Sequence, residues 1–126
     1  RVWYPALESH PDYAIAHAQM DGFGGVVSFE LKVDASASTG SASADSTNPA
    51  SAEETAAAVM DKFAIAQNAP SLGGVETLIM QPALASYYAL TAAERAELGI
   101  KDNLIRYAVG VEDLTDLLAD LEQALT

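Results

Sequence analysis

Apolar and polar residues alternate with a period of two from Val26 to Val33, placing Val27, Phe29 and Leu31 on one face and Ser28, Glu30 and Lys32 on the other. That spacing predicts a strand with one buried side. A second strand is predicted over Val75 to Met80, interrupted by Glu76 and Thr77 and stopped by Pro82, and a third over Leu104 to Val109, between Asp102-Asn103 and Gly110. Between them the period lengthens. Pro11 after Ser9-His10 opens a helix to about Met20 that buries Ile15, Ala16 and Met20, with Tyr13 at its edge. Ser51 and Glu54 have capping-box spacing before a helix of about Glu53 to Gln67, which buries Ala56, Val59, Met60 and Phe63 and ends at Asn68-Ala69-Pro70. Thr91 with Glu94 caps another that runs to about Leu98, with Gly99 closing it. Asp113 opens the last, with Leu114, Leu117, Leu118, Leu121 and Leu125 on one stripe. Val2 to Tyr4 forms a short extended piece ended by Pro5. Helix and strand thus alternate, as in an α/β sandwich whose small sheet carries most of its helices on one face. Strand direction is not legible from the pattern.

One stretch breaks the alternation. Ala and Ser fill 12 of the 19 positions from Asp34 to Ala52, with no aromatic or large aliphatic residue, so residues 34–52 read as a flexible surface insertion. The whole chain of 126 residues, half of them apolar, is a single domain large enough to bury a core. No apolar run approaches the ~20 residues needed to span a bilayer. Without cysteine there is no disulfide, thiolate metal site or cysteine nucleophile. A net charge of -12, with six unclustered basic residues, argues against nucleic acid and anionic membranes as partners. The opening Arg-Val-Trp-Tyr-Pro, apolar from its second residue, reads as the start of a fragment or a cleaved product.

Arg106 is the conspicuous candidate for chemistry. A guanidinium in the middle of an apolar strand is costly without a partner: it meets a bound carboxylate or phosphate, lies on an exposed sheet face, or forms an internal ion pair with a residue such as Glu112 or Glu76. Ser71 precedes two glycines in a turn where backbone and hydroxyl could meet a ligand, and a plain connection explains it equally well. Glu76, in an apolar strand, suits a site role or a structural ion pair. GFGG between the first helix and strand has the wrong spacing for a phosphate loop. His10 and His17 lack a third ligand, so no metal site is expected. No Ser-His-Asp set or carboxylate pair emerges, and Lys32, Lys62 and Lys101 sit at element edges beside polar neighbours. By these residues alone the chain binds and does not catalyse.

Several stretches together resemble one family. YPALESHPDYAIAHAQM followed by GFGGVVSFEL, then SLGGVETLIMQPA, then DNLIRYAVGVEDLTDLLADLEQAL are similar to the C-terminal domain of the pyridoxal-phosphate (PLP) enzymes of cysteine and methionine metabolism, and within them to the plant-type cystathionine γ-synthases. The resemblance implies the small domain of a fold-type I PLP enzyme, with a short, mostly antiparallel sheet covered by helices. It implies γ-replacement, joining O-phosphohomoserine or another homoserine ester to cysteine in methionine biosynthesis, within a plastid homo-oligomer, a tetramer. By the same resemblance Arg106 grips the substrate α-carboxylate, Ser71 lies beside the cofactor lysine and that carboxylate, and Glu76 lines the distal part of the site. The cofactor lysine and the phosphate-binding residues belong to a large domain that these residues do not include, so the stretch alone is expected to be inactive. A cystathionine lyase, a homoserine sulfhydrylase and a non-catalytic binding or assembly module remain as alternatives.

Overall fold

The computed structural model describes residues 1–32 and 51–126. Five strands form one sheet: β1 (Val2–Trp3), β2 (Val26–Glu30), β3 (Gln67–Asn68), β4 (Leu78–Met80) and β5 (Leu104–Ala108), in the order β1-β2-β5-β4-β3. All neighbours are antiparallel except β3 and β4. The sheet is therefore α/β and mostly antiparallel, as expected, with β5 at its centre. Four helices complete it: α1 (Tyr13–Gln19), α2 (Ala52–Met60), α3 (Ala92–Glu97) and α4 (Leu114–Leu125).

The alternation in β2 and β5 decides which face is buried. Ile105 and Tyr107 of β5 meet Ile79 of β4 and Ala56 and Met60 of α2, with Phe29, Leu31, Val59, Phe63 and Leu121 packed around them. Both capping boxes form as the sequence predicts: Ser51 with Glu54 at α2, and Thr91 with Glu94 at α3. Gly99 follows α3 at φ +75°, the left-handed conformation that a helix end needs and glycine adopts without strain. Most of the Ala/Ser-rich stretch lies outside the described residues; Ser51 and Ala52, assigned to it from composition, instead cap and begin α2.

Four expectations change. The helix predicted from Pro11 is preceded by turn bonds from Leu7 to Tyr4 and from His10 to Leu7, and begins only at Tyr13. Of its predicted core only Ala16 is buried; Ile15 and Met20 are exposed, and the helix is held by stacked rings instead, with His17 4.1 Å from Tyr13 and 4.6 Å from Phe23. The helix predicted to Gln67 stops at Met60. Its continuation is drawn out of helical form by Asp120, whose carboxylate accepts the N–H groups of Ala64, Ile65 and Ala66, and Gln67–Asn68 then pair with β4 as a strand. The strand predicted from Val75 begins at Leu78, because the Val75 carbonyl and the Thr77 N–H are bonded to Val111 and Glu112. Finally, α4 buries only part of its expected stripe. Leu117, Asp120 and Ala124 are its buried positions, as Asp120 must face residues 64–66. Leu114, Leu118 and Leu125 are left as one wall of an open apolar groove of about 730 Å³.

Candidate functional site

Arg106 stands mid-strand in β5, opposite Ser28 of β2 and Met80 of β4. Its neighbours Ile105 and Tyr107 turn into the core, so the two-residue period sends Arg106 to the other face of the sheet. There it reaches the loop between β3 and β4. Its Nη2 donates to the Pro70 carbonyl at 2.9 Å and to the Ser71 carbonyl at 2.5 Å. Its Nε is buried and has no acceptor among the described residues. Both hydrogens of Nη2 are thus taken by neutral oxygens, while Nε and Nη1 make no hydrogen bond among the described residues.

The internal ion pair left open by the sequence does not form. Ion pairs among the described residues join Arg95 to Asp102 and Lys101 to Glu30, and Arg106 has no acidic partner. Glu112 is occupied elsewhere: it accepts the Thr77 N–H and the Thr77 hydroxyl, each at 2.7 Å. Those two bonds, led by the backbone one, hold its carboxyl below the usual carboxylate range. Thr77 Oγ1 in turn accepts the Gly110 N–H at 2.8 Å. Sequence reasoning missed Thr77 and considered Glu112 only as a partner for Arg106. The signal was a hydroxyl residue next to Glu76 in an apolar run and an acidic residue just past Gly110.

The structure brings Arg106 and Ser71 together through the serine backbone, with the Ser71 residue itself exposed. Glu76 shares the loop, but in an exposed bend rather than in a strand, and its carboxylate turns back over Gly74. Residues 70–76 are all exposed, so Arg106 lies beneath an accessible loop. The histidines are packing residues: His17 is stacked between Tyr13 and Phe23, while His10 meets Trp3 edge-on and accepts the Asp12 N–H. No group of three metal-ligating side chains occurs among the described residues.

The three lysines stand apart from Arg106 in setting. Lys32, Lys62 and Lys101 are all exposed, and Lys101 is paired with Glu30 at 2.8 Å. A lysine that captures a carbonyl cofactor needs a desolvated or cationic setting that lowers its pKa. None of the three has one.

The family model for Cys/Met metabolism PLP-dependent enzymes matches residues 1–126. The chain is 45% identical over 124 residues to the chloroplastic cystathionine gamma-synthase 1 of Nicotiana tabacum, covering 98% of this chain and 20% of that protein. It is 42% identical over 125 residues to the cystathionine beta-lyase of Coxiella burnetii, covering 99% of this chain and 28% of that one. Among solved structures, cystathionine gamma synthase from Xanthomonas oryzae pv. oryzae, in complex with cystathionine, superposes with a TM-score of 0.78 at 37% identity, over 99% of this chain and 28% of its own. The chain therefore spans roughly a fifth to a quarter of the relatives it matches. Sequence and fold agree on one assignment: the chain belongs to the Cys/Met metabolism PLP-dependent enzymes, and pyridoxal phosphate is the cofactor of its family.

Proposed function

We propose that this chain is the C-terminal, substrate-gripping domain of a cystathionine γ-synthase, whose large cofactor domain supplies the lysine and the phosphate-binding residues. The observation that carries this reading is the Arg106 guanidinium, pinned at Nη2 by the Pro70 and Ser71 carbonyls and without an acidic partner among the described residues. In the complete enzyme, joined to cysteine and a homoserine ester as a homo-oligomer, Arg106 holds the α-carboxylate of the substrate and fixes the orientation of its α-carbon. Ser71 borders the same carboxylate, and Glu76, on the same loop, faces the distal end of the substrate. Pyridoxal phosphate, when bound, supplies the electron sink. The protein's part is to orient, and a planar fork does so in a way a lysine ammonium does not.

Tobacco and Arabidopsis cystathionine gamma-synthases, at 45% and 44% identity, support a γ-replacement that uses O-phosphohomoserine in methionine biosynthesis, in a plastid. The Coxiella beta-lyase at 42% favours a second reading, cleavage of cystathionine on the same scaffold. Product analysis of the full-length protein separates them. Cystathionine formed from cysteine and a homoserine ester supports the synthase; cleavage of cystathionine with no synthesis from any ester overturns it. In that protein Arg106→Ala lowers kcat/KM by ~100-fold or more, the loss of about 3 kcal/mol expected for a charged substrate contact. An unchanged value makes Arg106 structural.

A further inference from the structure

The loop that covers Arg106 is fastened at both of its ends to the central strand and the segment that follows it. At its start, Pro70 and Ser71 lend their carbonyls to Arg106 itself. At its end, Thr77 is fully buried and fully bonded: N–H to Glu112 Oε1, hydroxyl to Glu112 Oε2, and Oγ1 receiving the Gly110 N–H. Beside it the Val111 N–H donates to the Val75 carbonyl at 2.9 Å. Gly110 permits this approach because any Cβ there would run into the Val75 carbonyl and the Glu112 carboxylate. Between the two fastenings, Leu72 to Glu76 are exposed. The clasp at Thr77 holds the far end of the loop, as the Pro70 and Ser71 carbonyls hold its start against the guanidinium. The clasp also occupies both oxygens of Glu112, leaving the charge of Arg106 uncancelled.

We propose that Thr77 and Glu112 are positioning residues: their clasp with Gly110 sets the Pro70–Glu76 loop so that Arg106 and the Ser71 turn together grip a substrate carboxylate. The inference rests on the carboxylate reading above and extends it to residues that touch no substrate. A charged contact tolerates little displacement, and an error of about 1 Å in placing a bound group costs on the order of 100-fold. Threonine and valine have the same shape, so Thr77→Val removes the hydroxyl and leaves the packing in place.

The test is steady-state kinetics on the full-length, cofactor-loaded enzyme, with whichever of O-phosphohomoserine plus cysteine or L-cystathionine it turns over. Thr77→Val should raise KM for that amino acid about 10-fold or more while kcat changes by less than about 3-fold, and Thr77→Ser, which restores the hydroxyl, should return KM to near the parent value. A Thr77→Val enzyme with unchanged KM overturns the proposal, and so does a Thr77→Ser enzyme as impaired as Thr77→Val, since keeping the hydroxyl would then preserve nothing. If Thr77→Val does not fold, Glu112→Gln decides, because its amide can accept only one of the two Thr77 bonds: a raised KM supports the clasp and an unchanged one removes it. Arg106→Lys is the control. If it raises KM while Thr77→Val is silent, only the clasp fails. If Arg106→Lys is silent too, the carboxylate reading itself falls.

Discussion

Asp120 replaces a turn of helix with a carboxylate, and removing it gives a measurable loss. Its Oδ1 accepts the Ala64 N–H at 2.8 Å, and its Oδ2 accepts Ile65 and Ala66 at 3.0 and 3.1 Å. Gln123 Nε2 adds a fourth bond at 3.0 Å. Asp120→Ala orphans all these donors. A buried unsatisfied donor costs about 1–3 kcal/mol, but only Ala66 is fully buried, while Ile65 is half-buried and Ala64 exposed, so water recovers part of the loss. The expected destabilisation is about 3 kcal/mol for alanine and about 1–2 kcal/mol for asparagine, which keeps one acceptor oxygen. Urea unfolding followed by circular dichroism measures it as a fall in midpoint at constant slope. The charge gives a second signature. Burial raises the Asp120 pKa, the three backbone bonds and Gln123 lower it, and the net direction is down from 3.8. Stability tied to this group is therefore complete above about pH 4 and is lost as pH falls through the lower folded-state value, a limb missing from Asp120→Asn. Both variants lying within about 0.5 kcal/mol of the parent would refute the reasoning, because residues 64–66 would then not depend on that carboxylate.

Other outcomes follow from single contacts. Gly110→Ala should cost about 1–3 kcal/mol in the same unfolding assay, because its methyl meets the Val75 carbonyl; an unchanged midpoint would mean the two loops can separate freely. Thr91→Ala removes the side chain that accepts the Glu94 N–H at 3.3 Å and should lower stability by about 1 kcal/mol, visible as a lower melting temperature. Tyr107 is pushed up to about 12, first by burial and then by the charges of Asp120 and Glu112. Its phenol is therefore the one expected to ionise near 12 in an ultraviolet titration, and stability tied to it falls as pH rises from about 10 through that value. Tyr107→Phe should abolish that part of the alkaline limb.

Local signals in the sequence carried the parts of the fold that local physics decides. Ser51-Glu54 and Thr91-Glu94 state their own caps, and the period-two runs around Phe29 and Ile105 state which side is buried. What stayed hidden depends on partners far along the chain. Asp120 ends the predicted Glu53–Gln67 helix early from more than 50 residues away. It also takes a buried place on α4, where three of the five predicted stripe leucines stay exposed. Arg106 was legible as an anomaly, since a charge in an apolar strand is visible without coordinates. Its use of two backbone carbonyls was not, because carbonyls carry no sequence signature. Glu76 looked like a strand residue only because the bonds that take Val75 and Thr77 out of the strand come from Val111 and Glu112.

The sheet order β1-β2-β5-β4-β3 places the central strand near the end of the chain, and this shapes how the molecule can assemble. Until Leu104–Ala108 are available, β1–β2 and β3–β4 are two separate ribbons, each with an unpaired edge facing the gap. The register joins Glu30 to Leu104 and Val26 to Ala108, contacts of high sequence separation that form slowly because distant parts of the chain must first meet. A growing or truncated chain that stops before β5 exposes two open edges at once, the configuration most prone to pairing with a neighbour. The strand that carries Arg106 is also the strand that closes the fold, so the placing of its guanidinium against the Pro70–Ser71 turn and the completion of the sheet arise in the same step.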